Sequence, residues 1–261
     1  MKMRASDVRR NEIVELVRAE GTTRVEDLVR RFGVTESTIR RDLARLTSED
    51  RITRTFGGVM PATRHIEASL QQRLGEGHEA KAAIGRWAAG RIGAGEVALL
   101  DSGSTVSAVA EALIAARDVT VCTASLAVLN ILSNSAGVDL INLGGRLRPL
   151  SQGFIGPLTE AAVERMSCDR LFLGTDGVSA RGAICEADLG QIRLKELMVR
   201  RARHVYVLAH GPKIGASPFN AWLPLPKPWT LVTDASAPRD VLDALRADGV
   251  EIVVVDASAT G

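Results

Sequence analysis

The chain has 261 residues, of which 46% are hydrophobic and 25% charged, and its net charge is +2. That is the composition of a soluble globular protein with one large domain or two ordinary ones. Three cysteines (Cys122, Cys168, Cys185), odd in number and far apart with no CxxC spacing, argue against a disulfide framework or a structural zinc site, and no apolar run is long enough to cross a bilayer. A reducing, cytoplasmic setting is expected, with no metal and no cofactor. Residues 1–64 hold 14 basic and 10 acidic side chains, against 19 and 21 in the remainder. A small basic part ahead of a slightly acidic body fits a nucleic-acid reader joined to something else, although a chance excess of arginine would give the same totals.

In chain order, a first helix is predicted from Ser6 to Glu20, ended by Gly21. Thr23-Arg24-Val25-Glu26 reads as a capping box opening a second helix toward Phe32, and Gly33 breaks it. Thr35 caps a third helix with Glu36 in its first turn. In that helix Ile39, Leu43 and Leu46 recur at i, i+4, i+7, the spacing of a buried face. Ser37, Arg41, Ala44 and Arg45 then point the other way, with Arg40 on the flank. Two short helices around a glycine turn form a helix-turn-helix, and the third is suited to a DNA major groove. Arg51 to Phe56 alternates like a strand and meets Gly57-Gly58, a hairpin wing. The expected DNA-facing residues are Ser37, Thr38, Arg40, Arg41 and Arg45, with Arg51 and Arg54 in the wing meeting phosphates. The organisation read here is a winged helix-turn-helix over 1–60, a linker with some helical character over 61–77 and an α/β domain over 78–261.

Beyond the linker, strands and helices alternate. Strands are predicted at Val97–Leu100, Val119–Thr123, Val138–Leu143, Arg170–Leu173, Val205–Ala209, Thr230–Thr233 and Ile252–Val255. Helices between them include Glu79–Ile92, Val106–Ala115, Leu126–Leu132, Leu158–Met166, Gln191–Ala202 and Pro238–Arg246. This alternation predicts a mainly parallel, Rossmann-like sheet covered by helices, with ligands beyond the carboxyl ends of its strands. Several turns at that edge have suitable chemistry. Asp101-Ser102-Gly103-Ser104-Thr105 offers hydroxyls and backbone N–H groups for a phosphate, or is an ordinary strand-to-helix turn. Thr123-Ala124-Ser125 either adds hydroxyls or caps a helix. Gly144-Gly145 either lets backbone approach a ligand or makes a tight turn. Asp176, in Gly174-Thr175-Asp176-Gly177, accepts sugar hydroxyls, acts as a base or caps a turn. Lys195 lies on a helix and is by default a solvated charge. Lys213 follows a strand and either neutralises a phosphate or is solvated. Their convergence points to a phosphorylated small molecule. The tryptophans Trp87, Trp222 and Trp229 read as core or interface residues.

Over nearly its whole length the sequence resembles the DeoR family of bacterial transcriptional regulators. The resemblance rests on Thr38-Ile39-Arg40-Arg41-Asp42-Leu43 and on Arg54-Thr55-Phe56-Gly57-Gly58, where the family usually has histidine in place of Phe56. In the body it rests on Glu67 to Arg73, Asp101 to Thr105, Leu143-Gly144-Gly145, Gly156-Pro157, Gly174 to Gly177, Lys195, Met198 and Lys213. It implies a sensor domain similar in fold to ribose-5-phosphate isomerase and a non-enzymatic repressor of carbohydrate catabolism genes. Such a repressor binds double-stranded DNA as a homodimer or homotetramer and responds to a phosphorylated sugar or polyol. The effector contacts expected are Asp101, Gly103, Ser104, Thr105, Gly145, Asp176, Lys195 and Lys213. Two departures stand out. The loop before Lys213 reads His210-Gly211-Pro212 where the family usually has Asp-Ser-Ser, and the acidic residue before Lys195 is replaced by Gly190 or Gln191, with Glu186 and Asp188 nearby. The alternatives are a sugar-phosphate isomerase with an N-terminal regulatory module, and a constitutive DNA-binding protein whose sensor has lost its ligand.

Overall fold

The computed structural model describes residues 5–20, 23–48, 51–55, 58–61 and 67–256. The chain forms two compact units, Met1–His65 and Ile66–Gly261. The first runs α1 (Ala5–Glu20), β1 (Thr23–Arg24), α2 (Val25–Phe32), α3 (Glu36–Ser48), β2 (Ile52–Thr55) and β3 (Gly58–Pro61). Ile39, Leu43 and Leu46 of α3 are buried against Ile13 and Val17 of α1 and Leu28 of α2. Gly33 ends α2 in the left-handed region at φ 62°, returning its N–H to the carbonyl of Val29. Thr35 caps α3, its Oγ1 accepting from the Thr38 N–H at 3.3 Å. The wing is the antiparallel pair β2–β3, with Ile52 opposite Pro61 and Thr55 opposite Gly58. The expected helix stop at Gly21 and the turn residues Phe56 and Gly57 lie outside the described residues.

The capping box at Thr23 does not form. The backbone of Thr23 pairs with Val59 in the wing sheet, and α2 starts at Val25 with Arg24 in the cap position and no side-chain cap. A ladder contact from a distant strand overrides the local pattern. Asp42, which the helix pattern places beside the buried stripe, is itself buried. It accepts from Arg9 Nε at 2.7 Å and Arg10 Nη1 at 3.3 Å, fastening α3 to α1.

The second unit continues with α4 (Leu70–Leu74), α5 (His78–Ala89), β4 (Val97–Leu100), α6 (Ser104–Ala112), β5 (Val119–Thr123), α7 (Leu126–Leu132) and β6 (Val138–Asn142). Next come β7 (Arg146–Arg148), β8 (Gly153–Ile155), α8 (Pro157–Val163), β9 (Cys168–Leu173), β10 (Gly177–Val178) and β11 (Ala183–Glu186). It ends with α9 (Leu189–Arg201), β12 (Ala202–Leu208), β13 (Ala221–Pro224), β14 (Thr230–Asp234), α10 (Arg239–Ala247) and β15 (Glu251–Val255). Seven strands make one parallel sheet in the order β15-β14-β12-β9-β4-β5-β6. Alternate strand residues feed two cores. Leu99, Leu171, Leu173 and Val207 meet α8, α9 and α10 on one face, and Leu100, Val121, Phe172 and Leu208 meet α5, α6 and α7 on the other. Continuous apolar strands buried on both faces are what a helix-covered parallel sheet requires.

The chain leaves β4 toward β5 and β6 on one side and fills β9, β12, β14 and β15 on the other. The crevice between the β4 and β9 loops is therefore the switch point where such sheets bind ligands. Two small antiparallel pieces, β7–β8 and β10-β11-β13, are absent from the sequence reading and carry Ser151 and Glu186 toward that edge. Of the stretch expected as a linker, 62–66 lies outside the described residues. Its second half packs within the second unit, with Leu70 buried and its N–H donating to the Leu150 carbonyl at 2.9 Å. Among the described residues no helix is long and apolar enough to cross a membrane.

Candidate functional site

On the outer face of α3, Ser37, Arg40, Arg41 and Arg45 are exposed and Thr38 is half-buried. The hydroxyls of Ser37 and Thr38 sit 3.0 and 2.9 Å from Thr35 Oγ1, within the cap. Arg40 is held by Glu36 one turn earlier, Nη2 to Oε1 at 2.6 Å. That exposed pair is worth only a few tenths of a kcal/mol, about 0.3–0.5, so a phosphate can displace it. Arg51 is half-buried and donates to Asn11 Oδ1 of α1 at 2.8 Å, which orients the base of the wing. Arg54 is in β2, and its side chain lies outside the described residues. An arginine-bearing helix fixed by an apolar stripe, beside a two-stranded wing, is a duplex-reading geometry.

At the switch point of the sheet a cavity opens on the N-terminus of α6. Gly103, Ser104, Thr105 and Lys213 line it, joined by Arg73, Ser102, Ser151, Thr175 and Gln191. Gly103 starts the helix at φ 137°, a conformation side chains rarely adopt, and no side chain caps it. The N–H groups of the first turn are thereby left for a ligand. Four polar side chains around the cavity keep buried atoms without hydrogen-bond partners: Arg73 (Nε, Nη2), Ser151 (Oγ), Asp176 (Oδ2) and Gln191 (Oε1). Buried polar groups are nearly always paired, and such a cluster marks the place of a bound molecule's own polar atoms. The free volume is about 10 Å³, room for one water. A larger ligand enters as the lining side chains, Arg73, Gln191 and Lys213 among them, give way.

Lys195 is not a solvated charge. Its side chain is 2% exposed, because α9 turns it inward with Leu194 and Met198 onto the sheet edge. Its Nζ lies 3.0 Å from Asp101 Oδ2, donates to the Gly174 carbonyl at 2.7 Å and pairs closely with Glu186. Asp101 Oδ2 also accepts the Gly174 N–H at 3.1 Å. Asp101 and Lys195 thus clasp the β4 loop to the β9 loop behind the cavity. Burial works against the Lys195 charge, but the Asp101 and Glu186 carboxylates outweigh it and hold its pKa above the ordinary lysine value. Burial pushes the Glu186 carboxyl up to about 7 against the pull of Lys195.

Asp176 receives Arg73 Nη1 at 3.0 Å and has Lys213 Nζ at 4.0 Å. Lys213 donates to the Thr175 carbonyl at 2.6 Å, and burial lowers its pKa, with Asp176 opposing and Arg73 adding. The altered loop before it still delivers the lysine, since Asp234 Oδ1 accepts the Gly211 N–H at 2.7 Å. Lys81 of α5, buried and bonded to the Arg73 carbonyl, adds a further cation whose pKa burial and Lys213 lower to about 8. Gly145 stands apart from the cavity. A Cβ there would lie 1.9 Å from Thr159 Oγ1, so its glycine serves close packing on α8.

Sequence reasoning did not single out Arg73, Ser151, Glu186 or Gln191 as ligand contacts. Gln191 stands four residues before Lys195, so both occupy one face of α9, a spacing that marks it. Ser151 carries no such signal. Glu186 supplies the carboxylate that Gly190 and Gln191 lack, and Asp188 caps α9 instead, accepting the Gln191 N–H at 3.0 Å.

Comparison with known proteins decides the family. Residues 9–64 match the DeoR-like helix-turn-helix domain and residues 76–235 the DeoR C-terminal sensor domain. The chain belongs to the DeoR family. It is 30% identical over 244 residues to the glycerol-3-phosphate regulon repressor of Escherichia coli K12, covering 94% of this chain and 97% of that one. It is 31% identical over 251 residues to the transcriptional regulator GlpR of Haloferax volcanii, covering 94% and 96%. Identity to the transcriptional repressor GlcR of Bacillus subtilis is 30% over 246 residues, with 94% of each chain covered. These DeoR-family relatives are named as regulators, not enzymes. Among solved structures it is similar to ribose 5-phosphate isomerase A of Methanocaldococcus jannaschii, at 16% identity, TM-score 0.38, and 51% and 53% of the two chains. It is also similar to the translation initiation factor eIF-2B of Pyrococcus horikoshii, at 16% identity, TM-score 0.41, and 82% and 68%.

Proposed function

We propose that this DeoR-family regulator represses carbohydrate or polyol catabolism genes. Its grip on duplex DNA, as a homodimer or homotetramer, is set by a phosphorylated sugar or polyol in the α6 cavity. The observation that carries this reading is the meeting, in one cavity, of an uncapped helix N-terminus, the cations Arg73 and Lys213, and buried polar atoms of Arg73, Ser151 and Gln191 that have no hydrogen-bond partner. The phosphate sits on Gly103, Ser104 and Thr105 with Arg73 and Lys213. Hydroxyls go to Asp176, Ser151 and Gln191. Asp101 and Lys195 shape the site from behind without touching the ligand. The relative named as a glycerol-3-phosphate regulon repressor supports the choice of ligand class. On the DNA side, Arg41 and Arg45 approach base edges or phosphates and the wing meets the backbone.

The test is a panel of sugar and polyol phosphates scored by melting temperature at millimolar concentration. At least one member raises it, and Ser104→Ala and Lys213→Ala reduce the shift. No shift with any member sinks the ligand class. A shift untouched by both variants sinks the site.

A further inference from the structure

We propose that Arg73 is the group through which the bound anion is read out: its unused Nε–Nη2 edge takes the phosphate in competition with Glu67, and Glu67 passes the change to the segment that continues into the DNA-reading unit. This rests on the sugar-phosphate reading above and adds its route of regulation.

Arg73 lines the cavity and its side chain is 11% exposed. Nη1 is committed to Asp176 at 3.0 Å, whereas Nε and Nη2 have no hydrogen-bond partner. Nε–H and Nη2–H lie on the same edge of the guanidinium, the two-pronged fork that matches two oxygens of a phosphate. Glu67 lies near that edge, with Oε1 3.9 Å from Nη2, an ion pair too long for a hydrogen bond. An oxyanion in the cavity takes the fork with better geometry and weakens the tie to Glu67.

Glu67 is placed to transmit that loss. It follows Ile66, the first residue of the second unit, so the backbone it holds runs on directly into 1–65. Its other partner is Arg148 of β7, bonded through both carboxylate oxygens, Nη1 to Oε1 at 2.7 Å. Arg148 Nε in turn lies 3.6 Å from Asp188, the residue that caps α9 and accepts the N–H of Gln191 in the cavity wall. The turn after β7 carries Ser151, also in the wall, and its Leu150 carbonyl accepts the N–H of Leu70 in α4. One ligand therefore meets Glu67 by two routes, through Arg73 directly and through Ser151 and Gln191 by way of Arg148.

The experiment uses the full chain, with inorganic phosphate, glycerol 3-phosphate and glucose 6-phosphate as probes and a duplex selected by the protein from a random pool. Arg73→Lys keeps the charge and removes the fork. It should weaken the best probe by tenfold or more. Glu67→Gln should bind the same probe within threefold of the unaltered protein yet lose at least two-thirds of the fold-change in duplex affinity that the probe produces. If Glu67→Gln does not fold, Glu67→Asp gives the same comparison, with a partial loss expected. Unchanged probe affinity in Arg73→Lys, or a full DNA response in the Glu67 variant, overturns the inference and leaves the ligand class standing. If no probe binds the unaltered protein, the ligand class fails and this inference with it.

Discussion

Replacing Lys195 with methionine tests the clasp behind the cavity. The change keeps the length of the side chain and removes its charge at a position where Lys195, Asp101 and Glu186 are all nearly inaccessible to water. Removing one partner of a buried ion pair costs about 3–5 kcal/mol, because the remaining charge is left without compensation. The Gly174 carbonyl also loses a donor worth about 1 kcal/mol. For a unit of this size the sum corresponds to a fall in Tm on the order of 10–20 °C. The deficit depends on pH. Without the ammonium, Lys195 no longer opposes the burial that lifts the Glu186 carboxyl, so its folded pKa rises further above the unfolded one; the variant is most stable below the unfolded value and loses stability as pH rises through the folded one. The unaltered protein already has Glu186 at about 7, so the difference between the two shrinks as pH falls toward about 7. Urea unfolding followed by tryptophan fluorescence reads this cleanly, since Trp87, Trp222 and Trp229 all lie in the second unit. A loss under about 1 kcal/mol, the worth of an exposed pair, or a deficit independent of pH, would refute the clasp.

Further outcomes follow from the same geometry. Arg41→Ala should weaken duplex binding by about 1–3 kcal/mol at fixed salt in a gel shift, and unchanged affinity in both Arg41→Ala and Arg40→Ala would remove α3 as the reading helix. Asp42→Ala should destabilise the first unit by about 3–5 kcal/mol, seen as faster amide exchange in α1 and α3, because two arginines lose their shared carboxylate. Effector affinity, measured by calorimetry, should fall above about pH 8. The bound phosphate raises the pKa of Lys81 from about 8, so its contribution is complete below that value and is lost as pH rises through the bound one, about tenfold per unit. A flat profile from about pH 7 to 10 would leave Lys81 outside the site. Gly103→Ala should abolish the probe-induced melting shift, since its φ of 137° shapes the phosphate-facing turn.

What could be read from the sequence was local. The α3 stripe was legible because burial follows a 3.6-residue period, and Val97–Leu100, Val119–Thr123 and Leu126–Leu132 match their predicted limits because apolar runs there end at turn residues. The β10-β11-β13 sheet was not, because Ala183–Glu186 pairs with Ala221–Pro224 some forty residues on, and strands of two to four residues carry no period of their own. The site divides in the same way. The glycine and hydroxyl turns after β4 and β9 announced themselves. Arg73 gains its meaning only from Asp176, 103 residues away, and Lys195 looked solvated because its two carboxylates come from the loop after β4 and from β11. Gly145 looked like a ligand contact because backbone approach and tight packing leave the same residue type.

In the proposed function a phosphorylated sugar or polyol in the α6 cavity changes the grip on DNA. The most direct test measures duplex affinity at fixed salt, by fluorescence anisotropy, with and without each member of the phosphate panel. At least one member should change affinity about tenfold, a coupling of about 1.4 kcal/mol, and Lys213→Ala should abolish the effect while leaving DNA binding intact. Identical affinity across the whole panel would contradict the account.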